Sequence, residues 1–205
     1  AAVRAFFDKE KPQYVFMAAA KVGGIFANIA DPLSFVRDNL IIQDNVFDSA
    51  HRSGVERFLF LGSSCIYPRE CPQRMKEEYY LTGAPEPTNQ GYAIAKFAGM
   101  QLCMAHNAML KKSGKGMECR AIQPPNLYGE GDHFGEGSHA LAGMTARMHA
   151  AKLNGDKEFV VWGTGKACRE WMHVDDAADA ALFAMEMDWG EEFFYNAGTG
   201  EEFTM

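Results

Sequence analysis

Short, unbroken apolar runs separated by stretches of helical spacing constrain this chain more than any other feature. Tyr14–Ala19 (YVFMAA) and Phe58–Leu61 (FLFL) are too short for a helix and too continuously apolar for a strand with one wet face. They read as strands buried on both sides, and Cys119–Gln123 (CRAIQ) and Phe159–Trp162 are two further strand candidates. Between the first two runs, Leu33, Val36, Leu40, Val46 and Phe47 recur at three- and four-residue intervals, the period of a helix with one inward face. Asp31 before Pro32 is a good N-cap with proline in the first turn, and Gly54 is placed to end the helix.

The alternation continues. Thr88 or Asn89 opens a long helix through about Lys112, a further helix covers about 139–151, and a last one runs over Asp175–Met187, capped by Asp175 and Asp176. Residues 1–10 read as the last turns of an amphipathic helix with Val3, Phe6 and Phe7 on one side. Residues 66–87 and the glycine-rich 129–137 are loops, and Thr204-Met205 stands where another helix start is expected. Strands alternating with helices predict an α/β fold, a doubly wound and mostly parallel sheet covered on both faces.

Composition narrows the class. A net charge of −7 over 205 residues argues against a nucleic-acid or anionic-membrane surface, both of which need a basic face. No apolar run approaches the ~20 residues that span a bilayer. Five cysteines without a C-x-x-C pair predict reduced thiols in a cytoplasmic protein, with neither a disulfide nor a metal framework. Both ends read as cut through a larger fold, which predicts an internal piece of a longer chain.

In parallel sheets, ligands gather beyond the carboxyl ends of the strands. Three strands here deliver small or polar residues to that rim: Ala18-Ala19-Ala20-Lys21 with Gly23-Gly24, then Ser63-Ser64-Cys65, then Pro124-Pro125-Asn126. The alanines are small enough for a nucleotide to lie against backbone, and a tight turn would explain them equally well. Tyr92 and Lys96 stand four apart on the long helix and project from one face. A phenol ionises near pH ~10, and a neighbouring ammonium is expected to lower that value. Ser63 or Ser64 could hold a carbonyl oxygen against the phenol, an arrangement suited to protonating an oxygen while hydride reaches its carbon.

These residues, with AAAKVGG at 18–24, FLGSSCIYP at 60–68, EPTNQGYAIAK at 86–96, NLYG at 126–129, SH at 138–139, VVWGTG at 160–165 and REWMHVDD at 169–176, resemble the extended short-chain dehydrogenase/reductase family. The likeness is strongest to its branch that epimerises and reduces GDP-4-keto-6-deoxy-mannose. The resemblance implies a Rossmann-like cofactor domain over 1–125 and part of a smaller substrate domain over 126–205, with 169–187 returning to the first. It implies Ser63, Tyr92 and Lys96 as the reductase triad, and Cys65 with His139 as the acid–base pair that inverts C3 and C5. It further implies NADP(H) held by Ala18, Ala19, Ala20, Lys96, Pro124 and Asn126. A GDP-sugar would be held by Ser64, Asn126, Arg147, Trp162 and Arg169, and helices 31–53 and 88–112 would pair into a homodimer. A thiol near pKa ~8.5 can serve as base where its site favours thiolate, and an imidazole near ~6.5 can return the proton. The chain departs from the family pattern in lacking the glycine fingerprint at a first strand–helix turn and in carrying Pro125 where threonine is common. Other nucleotide-sugar epimerases or dehydratases of the same superfamily, and a non-catalytic scaffold of the same fold, are the alternative readings.

Overall fold

The structure is a computed structural model that describes residues 1–135, 137–161, 163–190 and 192–204. In chain order its elements are α1 (Ala2–Glu10), β1 (Tyr14–Met17), α2 (Ile25–Ala30), α3 (Pro32–Ser53), β2 (Arg57–Leu61), α4 (Gln90–Ser113), β3 (Glu118–Gln123), β4 (Asn126–Tyr128), α5 (Ala140–Asn154), β5 (Cys168–His173), α6 (Val174–Glu186), β6 (Phe194–Asn196) and β7 (Glu202–Thr204). Two sheets result. The larger has the order β1-β2-β3-β6 with every pair parallel, registered as Phe16 with Leu59, Leu59 with Arg120, and Ala121 with Phe194. The smaller sets β4 parallel to β5 and β5 antiparallel to β7.

The apolar run of β2 is explained by helices on both faces. Phe58 and Phe60 point into a core with Phe47 of α3 and Met100 and Cys103 of α4, while Leu59 points to the other side, against Ala181, Ala184 and Met185 of α6. Gly99 brings α4 close: a methyl there would overlap the Phe60 ring. Arg120 shares the face of Leu59 and is 3% exposed. Its guanidinium donates to the Ala184 and Met185 carbonyls at 2.8 and 2.9 Å and to Glu118 at 2.7 Å, so a buried cation closes the negative end of α6.

Several expectations are corrected. Strand β1 is not buried on both faces: Tyr14 and Phe16 are 46% and 44% exposed, because β1 is the edge of the described sheet and α6 covers Leu59 without reaching its neighbour Phe16. In α1, Phe7 is buried and Phe6 is exposed, since consecutive helical residues cannot share one narrow face. Residues 159–161 form no strand, and Trp162 lies outside the described residues. The α6 cap is His173, whose Nδ1 accepts from the Asp175 amide at 3.3 Å; Asp175 and Asp176 sit in the first turn instead, where their charge suits the helix dipole. Residues 202–204 are a strand paired with β5 where a helix start was expected.

Other local readings hold. Asp31 accepts from the Ser34 amide at 3.2 Å, Pro32 opens α3, and Gly54 ends it in the left-handed region. A short 3-10 turn over Pro87–Asn89, capped by Glu86, leads into α4. Among the described residues no helix is long and apolar enough to cross a membrane.

Candidate active site

Parallel register places the carboxyl ends of β1, β2 and β3 along one edge of the sheet, and the chain leaves them as Ala18–Ala20, Gly62–Cys65 and Pro124-Pro125. Ala18 and Ala19 are exposed and present little beyond backbone. Polar side chains hold this loop from below. Asn39 accepts from the Lys21 amide at 2.7 Å and donates to the Lys21 carbonyl at 3.0 Å. Asn28 donates to the carbonyls of Gly23 and Gly24 at 2.9 and 3.1 Å. The Lys21 ammonium donates to Ser34 at 2.5 Å and to Asp38 at 3.3 Å. The Gly24 amide reaches the Gly137 carbonyl at 3.4 Å, which ties the loop to the stretch before α5. Sequence reasoning missed these anchors. The available signal was Asn39, a polar residue four positions after the buried Phe35 on the inward face of α3.

Around the end of β2 the structure brings together Ser63, Cys65, Tyr92 and Lys96. Ser63 is extended and its Oγ accepts from the Cys65 amide at 3.4 Å, starting a 3-10 turn over Ser64–Ile66. The same hydroxyl faces the Tyr92 phenol and the Cys65 thiol closely enough to favour the anion of each. Lys96, 3% exposed, donates to the Leu61 carbonyl at 2.6 Å, and its Nζ lies 4.8 Å from the Phe60 ring centroid and 5.6 Å from that of Tyr92.

Electrostatics here run opposite to the sequence expectation. The phenol of Tyr92 is pushed above its ordinary value, by burial first and by the neighbouring Cys65 second, with Ser63 opposing. Burial raises the Cys65 thiol to about 11, against the pull of Ser63 and of the Lys96 ammonium. Burial lowers Lys96 to about 8. Desolvation of each charged form outweighs the neighbouring groups that favour it. At neutral pH the resting site therefore holds a protonated phenol and a protonated thiol.

The other sequence candidates make contacts of their own. His139 is exposed at the N-terminal end of α5, makes no side-chain cap bond, and among the described residues no hydrogen bond joins it to Cys65. It precedes the first turn of α5 as the N-cap residue. Arg147 stacks over Phe159 at 5.2 Å and reaches the Val160 carbonyl at 3.5 Å. Arg169 is exposed on β5 and folds back to the Cys168 carbonyl at 2.7 Å. Asn126 donates to the Glu170 carbonyl at 3.1 Å, pairing β4 to β5 through a side chain as well as backbone. Ser64 is exposed in the turn, Pro124 is half-buried, and Trp162 falls outside the described residues.

Comparison with known proteins decides the family: the profile of the NAD dependent epimerase/dehydratase family matches residues 1–198. The chain belongs to the NAD dependent epimerase/dehydratase family. Within it, the chain is 49% identical over 204 residues to GDP-L-fucose synthase 1 of Arabidopsis thaliana, covering 99% of this chain and 61% of that protein. It is 42% identical over 213 residues to GDP-L-fucose synthase of Escherichia coli K12, covering 100% of this chain and 65% of the relative. A solved GDP-L-fucose synthetase from Naegleria fowleri, bound to NADP, superposes with a TM-score of 0.87 at 31% identity, over 98% of this chain and 64% of that one. This family member thus spans about three fifths of the length of its plant relative.

Proposed function

We propose that the full-length protein epimerises GDP-4-keto-6-deoxy-mannose at C3 and C5 and then reduces C4 to give GDP-L-fucose. The observation that carries this reading is the convergence of Cys65 with Ser63, Tyr92 and Lys96 at one sheet edge. A plain carbonyl reductase has no use for a thiol there. A 4-keto sugar does, because the carbonyl acidifies the protons on both neighbouring carbons. Cys65 removes one of these protons and His139 returns one to the opposite face, so that one C–H bond breaks and one forms at each inverted centre. Ionising a thiol of pKa about 11 at pH 7 costs about 5 kcal/mol. That fits within the ~17 kcal/mol barrier of a turnover near 1 per second.

The exposed, methyl-only Ala18 and Ala19, with Ala20, Pro124 and Asn126 at the neighbouring strand ends, suit a flat ring laid against backbone, and Lys96 lies below the same rim. NADPH, when bound, supplies the hydride to C4. Ser63 holds the C4 oxygen, and Tyr92 gives it a proton; the raised pKa of the phenol keeps that proton in place at neutral pH. Arg147 and Arg169 offer guanidinium forks to the diphosphate, and Ser64, Asn126 and Trp162 serve the sugar and nucleotide.

Exposed Leu33, Leu40 and Ile41 on α3 with Ile94 and Met104 on α4 support a homodimer through these two helices. The five free cysteines support a cytoplasmic location. Residues 1–125 would form the cofactor unit, with α6 and β6 returning to it, and the remainder the sugar-nucleotide unit.

The test is Cys65→Ser in the full-length protein. Solvent deuterium exchange at C3 and C5 of the substrate should be lost, while reduction of an already epimerised ketone persists. Unimpaired exchange would remove the assignment.

A further inference from the structure

The backbone ladder between β2 and β3 runs out one residue before the chemistry begins. Its last rung carries the Gly62 amide to the Ile122 carbonyl at 2.9 Å. The following amide, that of Ser63, meets no backbone carbonyl among the described residues. A side chain takes over: Gln123 Oε1 accepts from the Ser63 amide at 2.7 Å. Gln123 is 3% exposed, and its carboxamide occupies the space that a methyl on Gly62 would fill. Its amide group is left with the thioether of Met100, 3.3 Å away on α4, as acceptor.

This is a poor bargain for stability alone. A carboxamide NH₂ buried against a sulfur gives up strong hydrogen bonds to water for a weak one. A methionine of similar shape would fill the same space without that penalty. What the glutamine adds is a fixed Ser63 amide. Lys96 fixes the preceding Leu61 carbonyl from the other side, so the turn carrying Ser63 and Cys65 is held from α4 and β3 together.

We propose that Gln123 is a positioning residue for both partial reactions. Its carboxamide orients Ser63, and through the Ser63 Oγ bond to the Cys65 amide it sets the thiol as well. The inference rests on the reading under Proposed function for its catalytic consequence, and on geometry alone for the bond itself.

The experiment compares full-length Gln123→Met and Gln123→Glu with the parent protein by Ser63 amide hydrogen exchange, thermal midpoint and steady-state kinetics. Gln123→Met removes the acceptor while keeping the volume. The Ser63 amide should then exchange about tenfold faster or more. Turnover should fall by about 100-fold, with KM for the GDP-sugar nearly unchanged, as a misplaced reacting group predicts. Gln123→Glu keeps an acceptor for the Ser63 amide and should recover most of that loss. Parental turnover in Gln123→Met would overturn the proposal, as would an unprotected Ser63 amide in the parent. If Gln123→Met does not fold, Gln123→Glu decides: a protected Ser63 amide with substantial turnover upholds the role, and an unprotected one ends it. Should the parent fail to turn over GDP-4-keto-6-deoxy-mannose, the proposed function falls while the exchange measurement still judges the positioning bond.

Discussion

Lys96 offers the most quantitative check on the physics of the site. Its ammonium is 3% exposed and its pKa is lowered from 10.5 to about 8, with burial the cause that lowers it. The folded state therefore disfavours the charged form. The resulting cost to stability is complete below pH 8, shrinks as pH rises, and vanishes above 10.5. Linkage puts the cost at about 3 kcal/mol at pH 7 and about 2 kcal/mol at pH 9, a recovery of about 1 kcal/mol across that interval. Lys96→Met removes the buried charge together with the bond to the Leu61 carbonyl, worth about 1–3 kcal/mol. The absolute change at pH 7 is thus a small difference of opposing effects. Its pH dependence is not: the advantage of the variant over the parent should fall by about 1 kcal/mol between pH 7 and 9. Stopping at pH 9 keeps Cys65 largely out of the comparison, since its thiol in the folded protein titrates near 11. Urea titrations of the cofactor-free full-length protein at pH 7, 8 and 9 measure this difference directly. A parent–variant difference that stays flat across the three would show that the ammonium is not held in a desolvated site.

Three further outcomes are expected. Gly99→Ala should destabilise by about 1–3 kcal/mol through overlap with the Phe60 ring, read as a lower urea midpoint at unchanged slope. His106, stacked on Phe47 and 5.2 Å from the His51 ring, has its pKa lowered by burial and then by His51. Stability should therefore fall as pH drops below 6.5, and His106→Phe should flatten that dependence in thermal melts. Ile41→Arg places a charge on the exposed face of α3 and should shift the full-length protein from dimer to monomer in light scattering; an unchanged mass would count against that interface.

The strand–helix alternation was legible because it depends on local periodicity: FLFL at 58–61 can be continuously apolar only if both faces are covered, as Phe58, Leu59 and Phe60 show. The caps at Asp31 and Gly54 were legible because capping chemistry acts within one turn. Motif spacing likewise placed Tyr92 and Lys96 on one face and Ser63 and Cys65 at a strand end. Burial of β1 was misjudged because an apolar run does not record which neighbours lie over it, and Phe16 lies at the edge.

The order of small, polar and apolar residues along this chain determined an α/β architecture and named four of the groups that meet at its sheet edge. Only the tertiary structure decided their charge states, since desolvation depends on everything packed around a group and raised the Tyr92 phenol where the spacing to Lys96 had predicted a lowering. Only tertiary structure, too, revealed Gln123 and Asn39 as supports. Each is an ordinary polar residue in sequence, and each gains its role from a backbone that lies beside it through folding alone, Ser63 sixty residues away for one and Lys21 eighteen away for the other.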